Sequence, residues 1–199
     1  MTITVFDYGA GNLHSLVKVL ESTGRSVHLE TDLRRALATK LLVLPGVGAF
    51  SAAASRMADA RAEARDALRA GLPCLGICLG MQLLFDASDE GPGAGLGFLA
   101  GRVTRLDATR VPQIGWNTLD DVSDPLFARA ALRTAYYANA FVCRPTDPAP
   151  VVAWSTHESD RFPAAVRIGN TLGVQFHPEK SSAPGVEFIR RFIDDILPD

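Results

Sequence analysis

Short apolar runs alternate with amphipathic segments along the first half of the chain. The runs have the length of buried strands, and they are Ile3–Phe6, Ser26–Glu30, Leu41–Leu44 and Pro73–Ile77. Between the first two, apolar residues recur at the i, i+3, i+4, i+7 spacing of a helix, at Leu13, Leu16, Val17 and Leu20. Further helices are predicted over Ser51–Ala70, which is rich in alanine and arginine, and over Leu79–Asp86. This alternation predicts an α/β fold with a doubly wound, mostly parallel, flavodoxin-like central sheet and helices on both faces.

The second half of the chain has a different pattern, with short strand candidates and few helices between them. The candidates are Phe98–Leu106, Trp116–Leu119, Arg133–Tyr137, Val151–Trp154, Ala164–Ile168 and Thr171–Phe176. Gly169-Asn170 predicts a hairpin turn, Gly91–Gly97 a flexible connection, and Val186–Leu197 a closing helix. We therefore expect an additional antiparallel strand and hairpin region beside the parallel sheet. No repeat or linker divides the sequence, so one domain is expected over residues 1–199.

Composition and charge exclude several classes of function. The net charge of −2 gives no basic footprint for nucleic acid, and no apolar run approaches the roughly 20 residues that span a bilayer. The first residues lack the pattern of a signal peptide. Three cysteines without close pairing indicate neither a disulfide scaffold nor a metal site. The expectation is a cytoplasmic protein with reduced thiols, no metal and no cofactor.

The most informative motif is Gly76-Ile77-Cys78-Leu79-Gly80, which joins a predicted strand to a predicted helix. It has the form of a strand-to-helix elbow, a strained turn in which the positions two before and two after the nucleophile must be small. The N–H groups and the dipole at the start of the helix favour a thiolate at Cys78. The N–H of Leu79 is placed to donate to an oxyanion. The alternative, a small cysteine buried in the core, is our interpretation of Cys74.

A base and its orienting partner are offered far downstream by His177 and Glu179. Pro178 favours an extended conformation at His177, and residues two apart in an extended stretch project to the same side. Glu179 can then orient the imidazole and stabilise its protonated form, so that His177 activates Cys78. Spacing alone does not bring His177 to Cys78, so the fold must do so. The remaining histidines are interpreted as structural or solvated, namely His14, His28 and His157.

The turn Pro45-Gly46-Val47-Gly48 follows an apolar strand, as the elbow does. In a parallel sheet both turns emerge at the carboxyl ends of strands, where ligands bind. Glycine at Gly46 and Gly48 lets backbone N–H groups approach a developing oxyanion. An ordinary strand-end turn explains the local sequence equally well. A phosphate-binding loop is excluded, because no Gly-Lys-Ser/Thr follows.

Together these motifs resemble those of the class I, triad-type glutamine amidotransferases. More narrowly, the chain is similar to the glutaminase subunits of imidazole glycerol phosphate synthases. The segments that carry the narrower resemblance are Asp7–Leu13, Pro45–Gly48, Val111–Asn117 and Gly173–Ser181. They extend from the first predicted strand to the last predicted helix.

The resemblance implies that glutamine is the substrate and that Cys78, His177 and Glu179 form the catalytic triad. By similarity, Gln82 and Gly48 bind glutamine, while N–H groups of Leu79 and of the Gly46–Val47 region face the oxyanion. The ammonia passes to a barrel-type cyclase subunit, the heterodimer partner, in histidine biosynthesis. There it forms imidazole glycerol phosphate and an aminoimidazole carboxamide ribotide.

The resemblance also implies a partner-facing surface and marks two departures from the family pattern. The interface candidates are Lys180, Trp116, Asn117 and Asn12. Asn139-Ala140-Phe141 replaces a His-Ser-Tyr element, and Gln113 stands where histidine is common. Three alternatives remain open: a glutaminase subunit of another class I amidotransferase, a stand-alone cysteine hydrolase of related fold, and a scaffold subunit without turnover.

Overall fold

A computed structural model describes residues 2–9, 11 and 13–198 of the chain. The strands are β1 (Thr2–Phe6), β2 (Ser26–Glu30), β3 (Leu41–Leu44), β4 (Cys74–Ile77), β5 (Ala87–Ser88), β6 (Gly101–Arg105), β7 (Gln113–Thr118), β8 (Thr134–Asn139), β9 (Phe141–Pro145), β10 (Val151–His157), β11 (Asp160–Ile168) and β12 (Thr171–Val174). The α-helices are α1 (His14–Glu21), α2 (Leu33–Ala36), α3 (Phe50–Met57), α4 (Arg61–Arg69), α5 (Leu79–Gln82), α6 (Pro125–Arg129) and α7 (Ser182–Ile196), and 3-10 turns lie at Ala58–Ala60 and Pro178–Lys180.

The central sheet has seven strands in the order β10-β11-β12-β4-β3-β1-β2. Its β2-β1-β3-β4 part has the strand order of flavodoxin-like folds. Strands β2, β1, β3, β4 and β12 are parallel, while β11 and β10 continue the sheet in antiparallel fashion. The predicted α/β fold with a mostly parallel sheet is confirmed. β12 joins the two parts because it pairs with β4 on one side and β11 on the other.

Both faces of the sheet are buried, which explains why its strands are continuously apolar. In β3, Leu41 and Val43 pack with the buried side chains of α1 and α7. Leu42 and Leu44 point the other way and pack with those of α3 and α4. Alternate residues of one strand therefore contribute to two separate cores.

The predicted antiparallel region comprises the hairpin β11–β12, the pairing of β6 with β9, and the pairing of β7 with β8, which are connected through α6. The β11–β12 hairpin turns at the predicted Gly169-Asn170, where Gly169 has a φ of 53°. Two strands and two α-helices were not predicted: β5, β9, α2, and α6, whose start is capped by the side chain of Asp124. Among the described residues, no helix is long and apolar enough to cross a membrane.

The predicted helix over Leu79–Asp86 is shorter than expected and ends at Gln82. The glycine-rich segment that follows supplies the reason. The N–H of Leu96 donates to the carbonyl of Leu83 at 2.7 Å, and the N–H of Phe98 donates to the carbonyl of Leu84 at 2.9 Å. These two carbonyls therefore do not accept the hydrogen bonds of a further helical turn, and the helix ends. The expectation of a flexible connection over Gly91–Gly97 was wrong for the same reason, since Leu96 within it is buried.

Candidate functional site

The motif around Cys78 forms a tight turn between β4 and α5. Cys78 has φ 47° and ψ −103°, a positive-φ conformation outside the left-handed α region that costs a non-glycine residue about 1–3 kcal/mol. A Cβ on Gly76 would lie 2.7 Å from the carbonyl oxygen of Gly80, and one on Gly80 would lie 2.0 Å from that of Leu44. Both glycines are therefore required by the close approach of neighbouring backbone.

The backbone of Cys78 is held from both sides of the turn. Its N–H donates to the carbonyl of Val174 in β12 at 2.7 Å, and its carbonyl accepts from the N–H of Gln82 at 3.1 Å. Leu79 is the first residue of α5, so its N–H has no acceptor within the helix. Since α5 contains only four residues, its dipole assists the thiolate less than the sequence predicted. The individual N–H groups of its first turn can instead donate hydrogen bonds to a negatively charged atom.

His177 and Glu179 lie next to each other because of a local turn. His177 Nδ1 and Glu179 Oε1 are 2.8 Å apart, and both side chains are buried. His177 is extended, as predicted, but residues Pro178–Lys180 form a 3-10 turn and do not continue the extended stretch assumed from the sequence. The predicted contact therefore exists, although a different backbone conformation produces it. Because β12 pairs with β4, the chain after β12 meets the chain after β4, which brings His177 to Cys78.

The electrostatic environment favours a protonated His177. Burial lowers the pKa of His177, but hydrogen bonding to Cys78 and to Glu179 raises it by more, to about 10. An imidazolium beside Cys78 stabilises negative charge on the sulfur. The site can therefore hold an imidazolium next to the sulfur of Cys78.

The Pro45–Gly48 turn lies over both side chains. A Cβ on Gly46 would lie 2.9 Å from His177 Cε1 and 3.1 Å from Cys78 Cβ. Gly48 has a φ of 109°, a conformation that favours glycine. The hydroxyl of Tyr8 donates to the carbonyl of Pro45 and anchors the start of the turn. The structure thus brings this turn, the thiol and the imidazole to one place.

Replacement of Gly46 by alanine is expected to displace His177 or Cys78 and to lower kcat by roughly 100-fold, since small misplacements of reacting groups have effects of that size. Gly24→Ala is the matched control, because nothing lies within 4 Å of that Cβ position. It should change stability but not the rate per folded molecule. Glutamate release, measured together with thermal unfolding, separates the two effects. Equal kcat values per folded molecule for Gly46→Ala and Gly24→Ala would contradict the close approach of Gly46 to His177 and Cys78.

A cavity of about 170 Å³ opens beside Cys78. It is smaller than the roughly 300–1,000 Å³ of pockets for drug-sized ligands, so it suits a small polar molecule. Glu90 is the one charged residue that lines it within the described chain. The residues around the cavity are Gly46, Gly48, Cys78, Leu79, Gln82, Glu90, Ala138, Asn139, Ala140 and Phe141.

Gln82 lines the cavity with its amide fixed by two acceptors. Its Nε2 donates to the carbonyl of Phe141 at 3.1 Å and to Gln175 Oε1 at 3.3 Å. Sequence reasoning missed Glu90 and Gln175 at this site. No spacing marks Glu90, whereas Gln175 lies two residues before His177 on an extended strand end, which is a usable signal.

The residues expected at an interface occupy different environments. On β7, Trp116 is 55% exposed and Ile114 is 68% exposed, and Lys180 is exposed as well. The side chain of Asn117 donates to the carbonyl of Thr156 at 2.9 Å and so fastens β7 to β10. Asn12 lies outside the described residues.

The two departures from the family pattern are neighbours in space. Gln113 on β7 is paired in register with Asn139 on β8, and both side chains are buried. Within the described residues, Gln113 Oε1 and Asn139 Oδ1 have no hydrogen-bond partner. The two substitutions therefore form one cross-strand amide pair next to the cavity.

No group of three or more histidine, cysteine or acidic residues capable of holding a metal occurs in the part of the chain that the structure describes. Cys74 and Cys143 are completely buried, and burial raises the pKa of both thiols. They have the properties of core residues, as interpreted for Cys74 from the sequence.

Comparisons with known proteins agree on one family. Residues 4–196 match the family model described as glutamine amidotransferase class-I. The chain is 39% identical over 202 residues to "Imidazole glycerol phosphate synthase subunit HisH" of Gloeothece citriformis (strain PCC 7424), which covers 98% of this chain and 96% of that protein. It is 42% identical over 202 residues to the protein of the same name from Gloeobacter violaceus (strain ATCC 29082 / PCC 7421), with 96% and 88% covered. A solved structure described as a glutamine amidotransferase has a TM-score of 0.75 at 20% identity and covers 98% of each chain, which shows the same fold.

Proposed function

Because the chain belongs to the class I glutamine amidotransferases, we propose that it is the glutaminase subunit of an imidazole glycerol phosphate synthase. It hydrolyses glutamine through Cys78, His177 and Glu179 and delivers the ammonia to a cyclase subunit. The single observation that carries the chemistry is the meeting of the strained Cys78 turn with the buried His177–Glu179 pair. The similarity to subunits of that name supports the pathway.

In the first half of the reaction, the Cys78 thiolate attacks the side-chain amide carbon of glutamine. The carbonyl oxygen becomes an oxyanion, which the N–H of Leu79 and N–H groups of the Gly46–Gly48 turn are placed to stabilise. His177 transfers its proton to the departing nitrogen as the C–N bond breaks. Ammonia leaves, and a glutamyl thioester remains on Cys78.

In the second half, water attacks the thioester and His177 accepts its proton. The sulfur of a thioester is uncharged, so one of the interactions that raises the pKa of His177 is then absent. The pKa of the imidazole is therefore lower at this stage, which suits its role as a base. Collapse of the second oxyanion releases glutamate and restores the thiolate.

The cavity supports glutamine as the substrate. The carboxylate of Glu90 is a charge complement for the α-ammonium group of a free amino acid. It is held by the N–H of Phe50, which donates to Glu90 Oε2 at 3.2 Å. Gln82 presents its amide to the same space. The cavity thus offers a carboxylate for the α-ammonium group of glutamine and an amide for a second polar group of the substrate.

The antiparallel pair β7–β8, which borders the cavity through Asn139, supports the binding of a protein partner beside the site. Trp116 and Ile114 are exposed apolar side chains of one strand, and Trp116 packs edge-on against Tyr136 with ring centroids 6.3 Å apart. The carbonyl of Tyr136 accepts from the N–H of His177 at 2.8 Å. A cyclase subunit docked on the β7–β8 pair, with Lys180 at the edge of the interface, would therefore contact Trp116, whose neighbour Tyr136 is hydrogen-bonded to the backbone of His177.

We propose that the complex is located in the cytoplasm.

The test is glutamate release from glutamine by the chain alone, and then with the cyclase subunit of an imidazole glycerol phosphate synthase and its nucleotide substrate. A large increase is expected only in the complete mixture. Trp116→Ala should weaken cyclase binding by about 30-fold, which corresponds to roughly 2 kcal/mol for an interface tryptophan. Leu29→Ala is the control, since Leu29 is 47% exposed on the distant strand β2. No response to this cyclase would assign the chain to another acceptor subunit.

A further inference from the structure

Gln175 contacts two of the residues that line the substrate cavity, Cys78 and Gln82, and is completely buried. Its Nε2 donates to Cys78 Sγ at 3.5 Å, and its Oε1 accepts from Gln82 Nε2 at 3.3 Å. One amide thus contacts both the reacting sulfur and a side chain that lines the cavity.

The fold specifies this placement. Val174 and Phe176 point into the core beneath α7, so the alternation of an extended chain directs Gln175 and His177 to the opposite side. The N–H of Gln175 donates to the carbonyl of Ala164 in β11 at 2.9 Å. The carbonyl before it, that of Val174, accepts from the N–H of Cys78. The backbone is therefore fixed on both sides of the side chain.

We propose that Gln175 is a positioning residue for the glutaminase reaction, an inference that rests on the proposed function. Its Nε2 donates to the negative sulfur and holds Sγ in one orientation, while its Oε1 fixes the amide of Gln82. A donor to the charged form of a group stabilises that form. Gln175 therefore stabilises negative charge on the sulfur of Cys78 and links that charge to the order of the glutamine site.

The hydrogen bond to sulfur acts at two points of the reaction. During attack the charge moves from sulfur to the oxyanion, so the bond stabilises the resting thiolate more than the transition state. During deacylation the C–S bond breaks and the electron pair returns to sulfur, so the same bond assists the leaving group. Loss of Gln175 should therefore slow thioester hydrolysis and raise the KM for glutamine through Gln82.

The decisive experiment measures the rate at which iodoacetamide alkylates the purified protein at Cys78 as a function of pH. Gln175→Leu should move the midpoint of the profile up by about one pH unit, since hydrogen bonds to charged groups have energies of that order. Thr171→Val is the matched control, because it removes a buried polar atom from β12, the strand that leads to Gln175, and Thr171 Oγ1 has no partner within the described residues. It should leave the midpoint unchanged.

A Gln175→Leu midpoint equal to that of the wild-type protein, in a folded variant, would overturn the proposal. If the leucine variant does not fold, Gln175→Met offers a more flexible side chain of similar length and the same expectation. Alkylation needs neither glutamine turnover nor a partner. A shifted midpoint, together with no glutamine hydrolysis even in the complete mixture with the cyclase subunit and its nucleotide, would therefore leave the positioning role intact and refute the proposed function instead.

Discussion

Cys78→Ala is expected to abolish glutamate release, by roughly 10⁴-fold or more, while leaving the protein folded. Removal of a nucleophile from a catalytic group that acts as a unit has effects of that size or larger. Alanine keeps a Cβ at the strained position, so the backbone of the turn is unchanged. Glutamate release in the presence of the cyclase subunit and its nucleotide is the measurement.

The control for this variant is Cys74→Ala. Cys74 lies four residues earlier on β4, is completely buried, and has a thiol whose pKa is raised by burial. Its replacement should lower stability slightly through lost packing and leave turnover in place. Retained hydrolysis by Cys78→Ala, or its loss in a folded Cys74→Ala, would assign the nucleophile to a different group.

Glu179→Gln is expected to lower kcat by roughly 10³–10⁴-fold, as for other changes of a triad carboxylate to an amide. It should also move the alkaline limit of kcat/KM to lower pH. Burial lowers the pKa of His177, while the hydrogen bonds to Cys78 and Glu179 raise it to about 10. Activity that needs the imidazolium should therefore persist well above the ordinary histidine pKa of about 6.5 and decline near pH 10. Without the carboxylate, one of the interactions that raises this pKa is removed.

The same shift has a consequence for stability. Between about pH 6.5 and about pH 10, the folded state holds a proton on His177 that the unfolded state has released. The contribution of His177 to the free energy of unfolding should therefore decrease as pH rises through this window, and that decrease should be smaller in Glu179→Gln. Glu187→Gln, at a surface pair with Arg191 on α7, is the control and should reproduce the wild-type profile. An alkaline limit that stays in place in Glu179→Gln would exclude the carboxylate as the partner of the imidazole.

The parallel sheet was predictable because its strands are buried on both faces. Continuous apolar runs such as Leu41–Leu44 have no other common explanation at that length. The elbow was equally visible, since Gly76 and Gly80 are required by backbone contacts that any residue with a Cβ would violate. The turn around Cys78 could therefore be recognised from the sequence because local steric constraints require its two glycines.

Other features depend on tertiary contacts and could not be derived in the same way. The end of α5 is set by N–H groups of a segment more than ten residues downstream, such as Leu96. The strand β9 is short and mixed in polarity, so it shows no alternation. The helix α6 did have a local signal, because Asp124 followed by Pro125 is a favourable N-cap and N1 pair. Gln175 also had a local signal, its position two residues before His177 on an extended strand end, but its contacts with Cys78 and Gln82 depend on the pairing of β12 with β4.

The position of β12 between β4 and β11 has a consequence for how the protein comes to activity during synthesis. The turn that bears Cys78 follows β4, whereas the base that activates it follows β12, about a hundred residues later in the chain. A growing polypeptide therefore exposes the thiol-bearing segment long before the strand that must lie beside it has been made. Until β12 inserts, Cys78 lacks its imidazole, its backbone acceptor on Val174 and the amide of Gln175. Incomplete chains are thus kept from consuming glutamine by the order in which the sequence is translated.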